Sequence, residues 1–353
     1  MGSAPGRAKV DVGVLGATGT VGQQFIVQLA AHPWFRTAWL GASQRSEGNR
    51  YGDLAWRLPA PMPDAVADLT VEQTVPGRAP KLLFSALDAS VAGDIEAAFA
   101  AAGHVVVSNA RNHRMDPLVP LLVPEINPDH LQLVPAQQRD RHWSGAIVTN
   151  PNCSTVFLSM ALAALRQFEP TEVIVTTEQA ISGAGYPGVA SLDIVGNVVP
   201  FIGGEEEKLE TEPRKILGSL ADGHVAPHPM RISAQTTRVP VTNGHTEMVS
   251  VRLAREAPQE EVRQAFAQFC GRPQQLRLPT APARPVIYLN EPNRPQPRLD
   301  VEREGGMAVF IGRLRPCPVL GYKFVALGHN TVRGAAGAAV LNAELMVSEG
   351  LLD

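Results

Sequence analysis

Cys153 stands in the run Asn150-Pro151-Asn152-Cys153-Ser154-Thr155, a turn followed by apolar residues that predict a helix over 154–167. A thiol at a helix start lies beside unpaired N–H groups and the positive end of the helix dipole, which favour a thiolate. A nucleophilic thiol needs a group that handles protons. The run Arg238-Val-Pro-Val-Thr-Asn-Gly244-His245 offers an arginine and a histidine seven residues apart, with a strand expected over 238–240 and His245 in an exposed, loop-type position. The third chemical feature is glycine-rich: Gly13-Val-Leu-Gly16-Ala17-Thr18-Gly19-Thr20-Val21-Gly22, between a predicted strand over 10–15 and a predicted helix over 20–31. A turn without side chains lets backbone N–H groups approach a pyrophosphate at a helix N-terminus. A reactive thiol beside a nucleotide site points to a thioester or thiohemiacetal and to hydride transfer.

The end of the second predicted strand selects the cofactor. NAD sites place an Asp or Glu there to accept the ribose hydroxyls. Here the chain reads Gly41-Ala42-Ser43-Gln44-Arg45-Ser46. Ser43, Arg45 and Ser46 offer donors and positive charge, which suits the 2′-phosphate of NADP; Glu47 is the residue that opposes this. Of the other cysteines, Cys270 is expected in the core, and Cys317 is confined between Pro316 and Pro318. His224 and His228 lie in a proline-flanked segment read as a loop, and no Cys or Glu set of metal-site spacing accompanies them, so no metal is expected. The cluster Glu205-Glu206-Glu207-Lys208 is by default a solvated helix face.

These residues need a frame. Apolar strands over 10–15, 37–42, 81–85, 105–108 and 146–149 alternate with helices over 20–31 and 89–102, the pattern of a doubly wound parallel sheet. Beyond residue 150 the pattern changes to Val- and Thr-rich strands over 171–177, 247–253, 307–314 and 323–327, with a helix over 259–269 and a polar stretch over 203–214 between them. The fold class is therefore α/β, a Rossmann-like domain with a second α+β domain. The division is 1–150 plus 329–353 for nucleotide binding and 151–328 for catalysis and self-association, the closing helix returning to the first domain. A length of 353 residues suits about two domains. A net charge of −3 excludes a globally basic nucleic-acid binder, and three cysteines are no disulfide framework. The start, Met1 to Lys9, has no apolar leader, and no run approaches the ~18 apolar residues of a membrane span, so a cytoplasmic location is expected.

Seven motifs in order then carry a resemblance: Gly13–Gly22, Ser108-Asn-Ala-Arg-Asn-His-Arg114-Met-Asp-Pro, Val119-Pro-Leu-Leu-Val-Pro-Glu125-Ile-Asn127-Pro, Pro151-Asn-Cys153-Ser-Thr, Gln179-Ala-Ile-Ser-Gly-Ala-Gly185, Gly204-Glu-Glu-Glu-Lys208 and Arg238–His245. Together, over about residues 10 to 345, the chain resembles the aspartate-semialdehyde dehydrogenases, nearest in wording to the archaeal and fungal branch. The resemblance implies NADPH-dependent conversion of 4-phospho-L-aspartate to L-aspartate 4-semialdehyde and inorganic phosphate. It implies Cys153 as nucleophile, His245 as acid–base and Gln179 as the residue that orients the acyl group. Arg238 would take the substrate carboxylate, Glu205 its ammonium, and Arg114 and Lys208 its phosphate, with Asn152 lining the pocket. Cofactor contacts would come from Gly16, Thr18, Gly19, Thr20, Val21, Ser43, Arg45, Ser46, Ser182, Gly183 and Asn330. A homodimer or homotetramer is implied. Two other readings stay open: a reductase of an acyl thioester such as malonyl-CoA, which has no ammonium to set against Glu205, and a non-catalytic NADP-binding protein. The proline- and arginine-rich stretch 277–298 has no functional reading.

Overall fold

The computed structural model describes residues 8–221 and 223–352. The expectation of a leaderless start rests largely on residues 1–7, which lie outside the described residues.

The chain opens with β1 (Val10–Leu15), α1 (Thr20–Ala30), β2 (Phe35–Ala42), α2 (Asp64–Ala67), β3 (Val71–Gln73), β4 (Leu82–Ser85), α3 (Ala89–Ala101), β5 (Val105–Ser108), α4 (Val134–Arg141) and β6 (Ala146–Thr149). All six strands are parallel, in the order β3-β2-β1-β4-β5-β6. That is the strand order of a dinucleotide-binding fold, with ligands expected at the carboxyl ends of the strands. β4, β5 and β6 are buried throughout, as parallel strands covered on both faces must be. Phe25 of α1 stacks on Phe84 of β4 at 5.1 Å between ring centroids, in the core beneath the glycine turn.

The second half contains α5 (Cys153–Ala164), β7 (Pro170–Gln179), α6 (Ser191–Ile194), α7 (Glu205–Ile216), β8 (Ser219–Ala221), β9 (His224–Ala226), β10 (Arg231–Arg238) and β11 (His245–Leu253). It continues with α8 (Gln259–Gln268), α9 (Arg272–Leu276), β12 (Val286–Leu289), α10 (Pro297–Asp300), β13 (Val309–Cys317), β14 (Gly321–Gly328) and α11 (Gly337–Ser348). Its six-stranded sheet is mixed, in the order β10-β7-β11-β14-β13-β12. α5, α7 and α8 share the core on one face of this sheet. The other face leaves Ile174 and Met248 exposed. α11 packs its Val340, Leu341 and Leu345 into the same core as Val12 and Phe84.

Several local expectations are corrected. The polar stretch 203–214 holds most of helix α7, which begins at Glu205 and buries that residue where a solvated face was expected. The strand expected at 238–240 lies earlier, over 231–238, because its partner β7 supplies a parallel register from Arg231↔Glu172 to Arg238↔Gln179. His224 is not in a loop but in β9, paired with β8. Cys270 is exposed rather than core, because α8 stops at Gln268 and the chain turns outward.

Candidate active site

Both candidate helix starts sit at the carboxyl edge of the first sheet. Behind β1 the chain turns through Gly16, whose φ is 76°; a Cβ there would lie 2.7 Å from the Ala86 carbonyl oxygen. The N–H groups of Gly16 and Ala17 bond the Gly41 carbonyl, which brings the glycine turn beside the end of β2. Gly22 is pressed harder: a Cβ would fall 2.2 Å from the Gly16 oxygen. No side chain caps α1, whose N-cap is Gly19. The Ser43–Ser46 turn follows β2, with Arg45 exposed, and Glu47 is engaged away from it, accepting a bond from Gln73 Nε2 at 2.7 Å. Together these leave the N–H groups of the α1 start without a side-chain cap and no acid at the ribose position, the features an anion site needs.

Behind β6, Asn152 caps α5. Its Oδ1 accepts from Ser154 N at 3.0 Å and Thr155 N at 3.4 Å, and Cys153 is the first helical residue. Other groups around Cys153 act against the helix start. Burial, reinforced by the negative charge of Glu205, pushes the thiol up to about 12, and the Ser154 N–H, Arg114 and Arg238 do not offset this. The helix start offers less than its dipole suggests because Asn152 already uses two of its N–H groups.

Glu205, at the start of α7, gathers three of the expected residues. Lys208 Nζ lies 2.6 Å from Oε1, while Asn152 Nδ2 and Gln179 Nε2 donate to Oε2 at 2.8 and 3.3 Å. Burial alone would raise this carboxyl, but the charge and hydrogen bond of Lys208, with the bonds from Asn152 and Gln179, hold it below its ordinary value. Arg114 is likewise committed, through Nη1 to Glu212 at 2.9 Å and Nη2 to the Asn109 carbonyl at 2.7 Å. Arg238 Nη1 donates to the Ala180 carbonyl at 2.7 Å.

His245 is fully buried, not exposed, because β11 is flanked by β7 and β14 and the 181–185 turn covers its first residue. Its Nδ1 accepts from Ala180 N at 3.0 Å. A ring nitrogen that accepts carries no hydrogen, so the neutral ring holds its proton on Nε2. Burial, then the charge of Arg238 and the nearby His329, press its pKa down to about 3. Gly183 lies directly over the ring: a Cβ there would come within 3.1 Å of Nε2 and 2.9 Å of Arg238 Nη1. Phe157, one turn along α5 from Cys153, meets the ring edge-on at 6.4 Å.

A cavity of about 310 Å³ joins the two helix starts. Val21 of α1, Arg114, Asn152, Cys153, Ser182, Gly183, Asn330 and Gly334 line it. Gln179, Glu205, Lys208, Arg238 and His245 are not on its wall; Gly183, which is, packs against Arg238 and the His245 ring. Asn330 ties that wall together, accepting from Gly244 N at 2.8 Å and donating to Ser182 Oγ at 2.8 Å. Thr18 and Thr20 flank the glycine turn, and Ser43, Arg45 and Ser46 lie at the far end of the same edge, beyond the cavity wall. Nothing in the sequence marked Glu212 or Lys215, which seat the Arg114 loop on α7. Lys215 Nζ donates to the carbonyls of Arg114, Asp116 and Val119 at 2.7, 2.7 and 2.8 Å, and burial lowers it to about 8. Their only sequence signal is spacing on the α7 face of Glu205 and Lys208.

Residues 11–134 match the family model described as semialdehyde dehydrogenase, NAD binding domain, and residues 162–333 the model described as semialdehyde dehydrogenase, dimerisation domain. The chain is 51% identical to an aspartate-semialdehyde dehydrogenase of Cryptococcus neoformans, over 98% of this chain and 99% of that one. This chain belongs to the aspartate-semialdehyde dehydrogenase family. An archaeal aspartate-semialdehyde dehydrogenase, from Methanothermobacter thermautotrophicus, is also 51% identical, over 96% of this chain and 99% of its own. The crystal structure of the Candida albicans aspartate semialdehyde dehydrogenase with NADP superposes with a TM-score of 0.91 at 42% identity, covering 98% of this chain and all of that one. The two-domain arrangement, a Rossmann-like domain and an α+β domain, is that of the aspartate-semialdehyde dehydrogenase family models.

Proposed function

We propose that Cys153 is the nucleophile of this NADP-dependent aspartate-semialdehyde dehydrogenase. The reaction converts 4-phospho-L-aspartate, NADPH and a proton to L-aspartate 4-semialdehyde, phosphate and NADP, and serves lysine, threonine, methionine and isoleucine synthesis. The single observation that carries the assignment is the placing of Cys153 at a capped helix start, on the wall of a cavity that also reaches α1 at Val21.

The residues fit the cofactor. The Gly16–Gly22 turn is a cradle that a Cβ would fill, α1 is left without a cap, and Ser43 and Arg45 stand where an acid would repel a 2′-phosphate. When bound, NADPH supplies a hydride. The chain supplies the rest. Cys153 Sγ forms a bond to the acyl carbon, the acyl–oxygen bond to phosphate breaks, and the thiol proton leaves with the phosphate. Arg114, on the cavity wall beside Cys153, and Lys208 hold that charge. His245 Nε2–H donates to the substrate carbonyl oxygen and stabilises the negative charge that develops there. Collapse of the thiohemiacetal breaks the carbon–sulfur bond, frees the aldehyde and leaves a thiolate, which regains one proton from solvent. Arg238 holds the α-carboxylate, Glu205 the ammonium, and Gln179 and Asn152 keep the Glu205 carboxylate in place. The division of the chain at about 150 and 329 follows from this: the first and last segments hold the cofactor, the middle one the thiol and the amino-acid end.

We infer a homodimer or homotetramer for this chain. Ile174 and Met248 on the open face of the second sheet are 49% and 36% exposed, and Leu192 and Phe201 nearby in sequence are 94% and 67% exposed, more apolar surface than an isolated subunit gains from. Among the described residues no helix is long and apolar enough to cross a membrane; the cytoplasm is the proposed location.

The test is the reverse reaction. Purified protein given aspartate semialdehyde, phosphate and NADP is expected to form NADPH, far faster than with NAD or with succinate semialdehyde. Cys153→Ser is expected to lose turnover by on the order of 10⁴-fold or more while still binding NADPH. Turnover retained by the serine variant overturns the nucleophile assignment; phosphate independence overturns the reaction.

A further inference from the structure

The motif around Glu125 has no role in the chemistry above, yet its carboxylate is sealed against Arg333. Arg333 Nη1 and Nη2 donate to Glu125 Oε1 and Oε2 at 2.8 and 2.7 Å, and both side chains have no exposed surface. Arg333 belongs to a π-helical turn, 332–336, in which Gly334 N bonds the His329 carbonyl at 2.9 Å and Ala336 N the Thr331 carbonyl at 3.2 Å. π turns are rare and cluster at functional sites. Here the turn joins β14 to α11 and passes directly over the nucleophile. A Cβ on Gly334 would fall 2.6 Å from Cys153 Cβ and 3.0 Å from Cys153 Cα. Arg333 itself reaches α5 at Met160 Sδ, 3.4 Å away and seven residues beyond Cys153. One residue therefore touches α5 at the thiol and its neighbour touches α5 two turns further on.

The other end of the pair is equally fixed. The Glu125 loop is folded by Asn127, whose Oδ1 accepts from Val123 N at 2.8 Å and whose Nδ2 donates to the Leu121 carbonyl at 2.9 Å. Gly271 packs on its backbone, where a Cβ would fall 2.5 Å from Glu125 Cα. Ala335 is bound in turn by Asn150 Nδ2 at 3.0 Å, at the end of β6. The cavity wall facing the thiol is built from Asn330, Thr331, Gly334 and Ala335, on both sides of Arg333.

We propose that Glu125 and Arg333 are positioning residues for Cys153: a sealed, bidentate ion pair that seats the π turn on the nucleophile and sets the gap between the thiol and the cofactor side of the cavity. This rests on Cys153 being the nucleophile. Neither residue touches the cavity, so neither is catalytic. The fork geometry of arginine fixes both position and direction of the turn, which a lysine cannot do. A small displacement of reacting groups is enough to cost a large factor in rate.

A buried pair loses stability when one partner is removed, because the other is left as an isolated charge, whereas replacing both by apolar residues of similar size preserves the fold. The experiment therefore uses the double variant Glu125→Leu with Arg333→Met, measured for melting temperature, kcat, KM and the primary isotope effect with deuterated NADPH. The expected result is a melting temperature within about 4 °C of the parent, KM within about threefold, kcat lower by about ten- to a hundredfold, and a larger isotope effect as hydride transfer becomes limiting. A folded double variant with kcat within about twofold and an unchanged isotope effect overturns the proposal. Arg333→Lys, which keeps the charge and loses the fork, is the second arm and is expected to move kcat and the isotope effect in the same direction by less; if the double variant does not fold and Arg333→Lys leaves both unchanged, the proposal is equally overturned. Turnover in Cys153→Ser with the pair intact would instead remove the reading on which it rests.

Discussion

α1 and α5 begin in the same way, behind a strand of one parallel sheet, and end up with opposite properties. α1 starts at Gly19, bare of side chains and uncapped. α5 starts at Asn152, which fills its own N–H groups and places a thiol as the first helical side chain. In the proposed mechanism the first start is left for an anion of the cofactor, and the second, closed by the protein, orients the nucleophile. Which role a helix start plays is decided by what takes its orphan donors. The floors beneath differ too. α1 stands on Phe25 and Phe84, whereas α5 stands over a sheet face carrying His245 and Glu247, both fully buried.

The contrast breaks most severely at Gly22. Gly22→Ala puts a methyl 2.2 Å from the Gly16 oxygen, so the turn must open. NADPH affinity is expected to fall about a hundredfold, about 2.7 kcal/mol, measured by fluorescence titration, while the α5 end keeps its Asn152–Glu205 bond. Asn152→Ala attacks the other start. It removes the cap and one bond to Glu205, and is expected to cost about 1 kcal/mol of stability and about tenfold in kcat, since Glu205 loses a positioning partner, with NADPH affinity unchanged. Gly19→Ser would give α1 the cap it lacks. The N-cap φ of −77° admits serine, and its Cβ would meet the Gly16 oxygen at an ordinary 3.5 Å. A gain of a few tenths of a kcal/mol in stability is expected together with weaker NADPH binding; equal or tighter binding would show that the bare start is not the anion site.

The smallest expected effect concerns the floor. Glu247 has neither carboxylate oxygen hydrogen-bonded, and burial raises its pKa well above the ordinary value. The folded chain thus keeps this proton where the unfolded chain has released it. Stability from this residue falls as pH rises above the unfolded value near 4.5 and goes on falling until the folded pKa is reached. Glu247→Gln removes that dependence, so in thermal melts the variant is expected to gain on the parent as pH is raised from 5 to 8. His245 acts in the opposite window. With its pKa near 3 in the fold it costs stability as pH falls below the ordinary histidine value, which Glu247→Gln should leave unchanged.

The strand–turn–helix units at both ends of the first sheet were legible because their signals are local: continuous apolar strands, glycines that no side chain can replace, and Asn152 before an apolar helix. His245 was legible as a residue but not in its setting, since its burial comes from β7 and β14, which join it from distant parts of the chain. α7 was harder. It buries Glu205, Glu212 and Lys215 beside Leu209 and Ile216, and a helix that turns charge inward does not show the apolar period that marks an ordinary one. β12 was missed because four residues between proline-rich flanks carry little pattern. The buried Arg333 lies in a run of small residues that gave no hint of its partner 208 positions away.

The three cations that the proposed mechanism assigns to the substrate are each already held by the protein: Arg114 by Glu212, Lys208 by Glu205 and Arg238 by the Ala180 carbonyl. Two of them are paired with carboxylates and Arg238 with a neutral carbonyl, so in the proposed mechanism a ligand enters by trading partners. A simple anion can compete for Arg238 but has nothing to give Glu205 in exchange for Lys208. A zwitterion settles both trades at once. On the proposed roles, discrimination against aldehydes that lack the amine is written into these existing partnerships, before any contact with the reacting carbon is made.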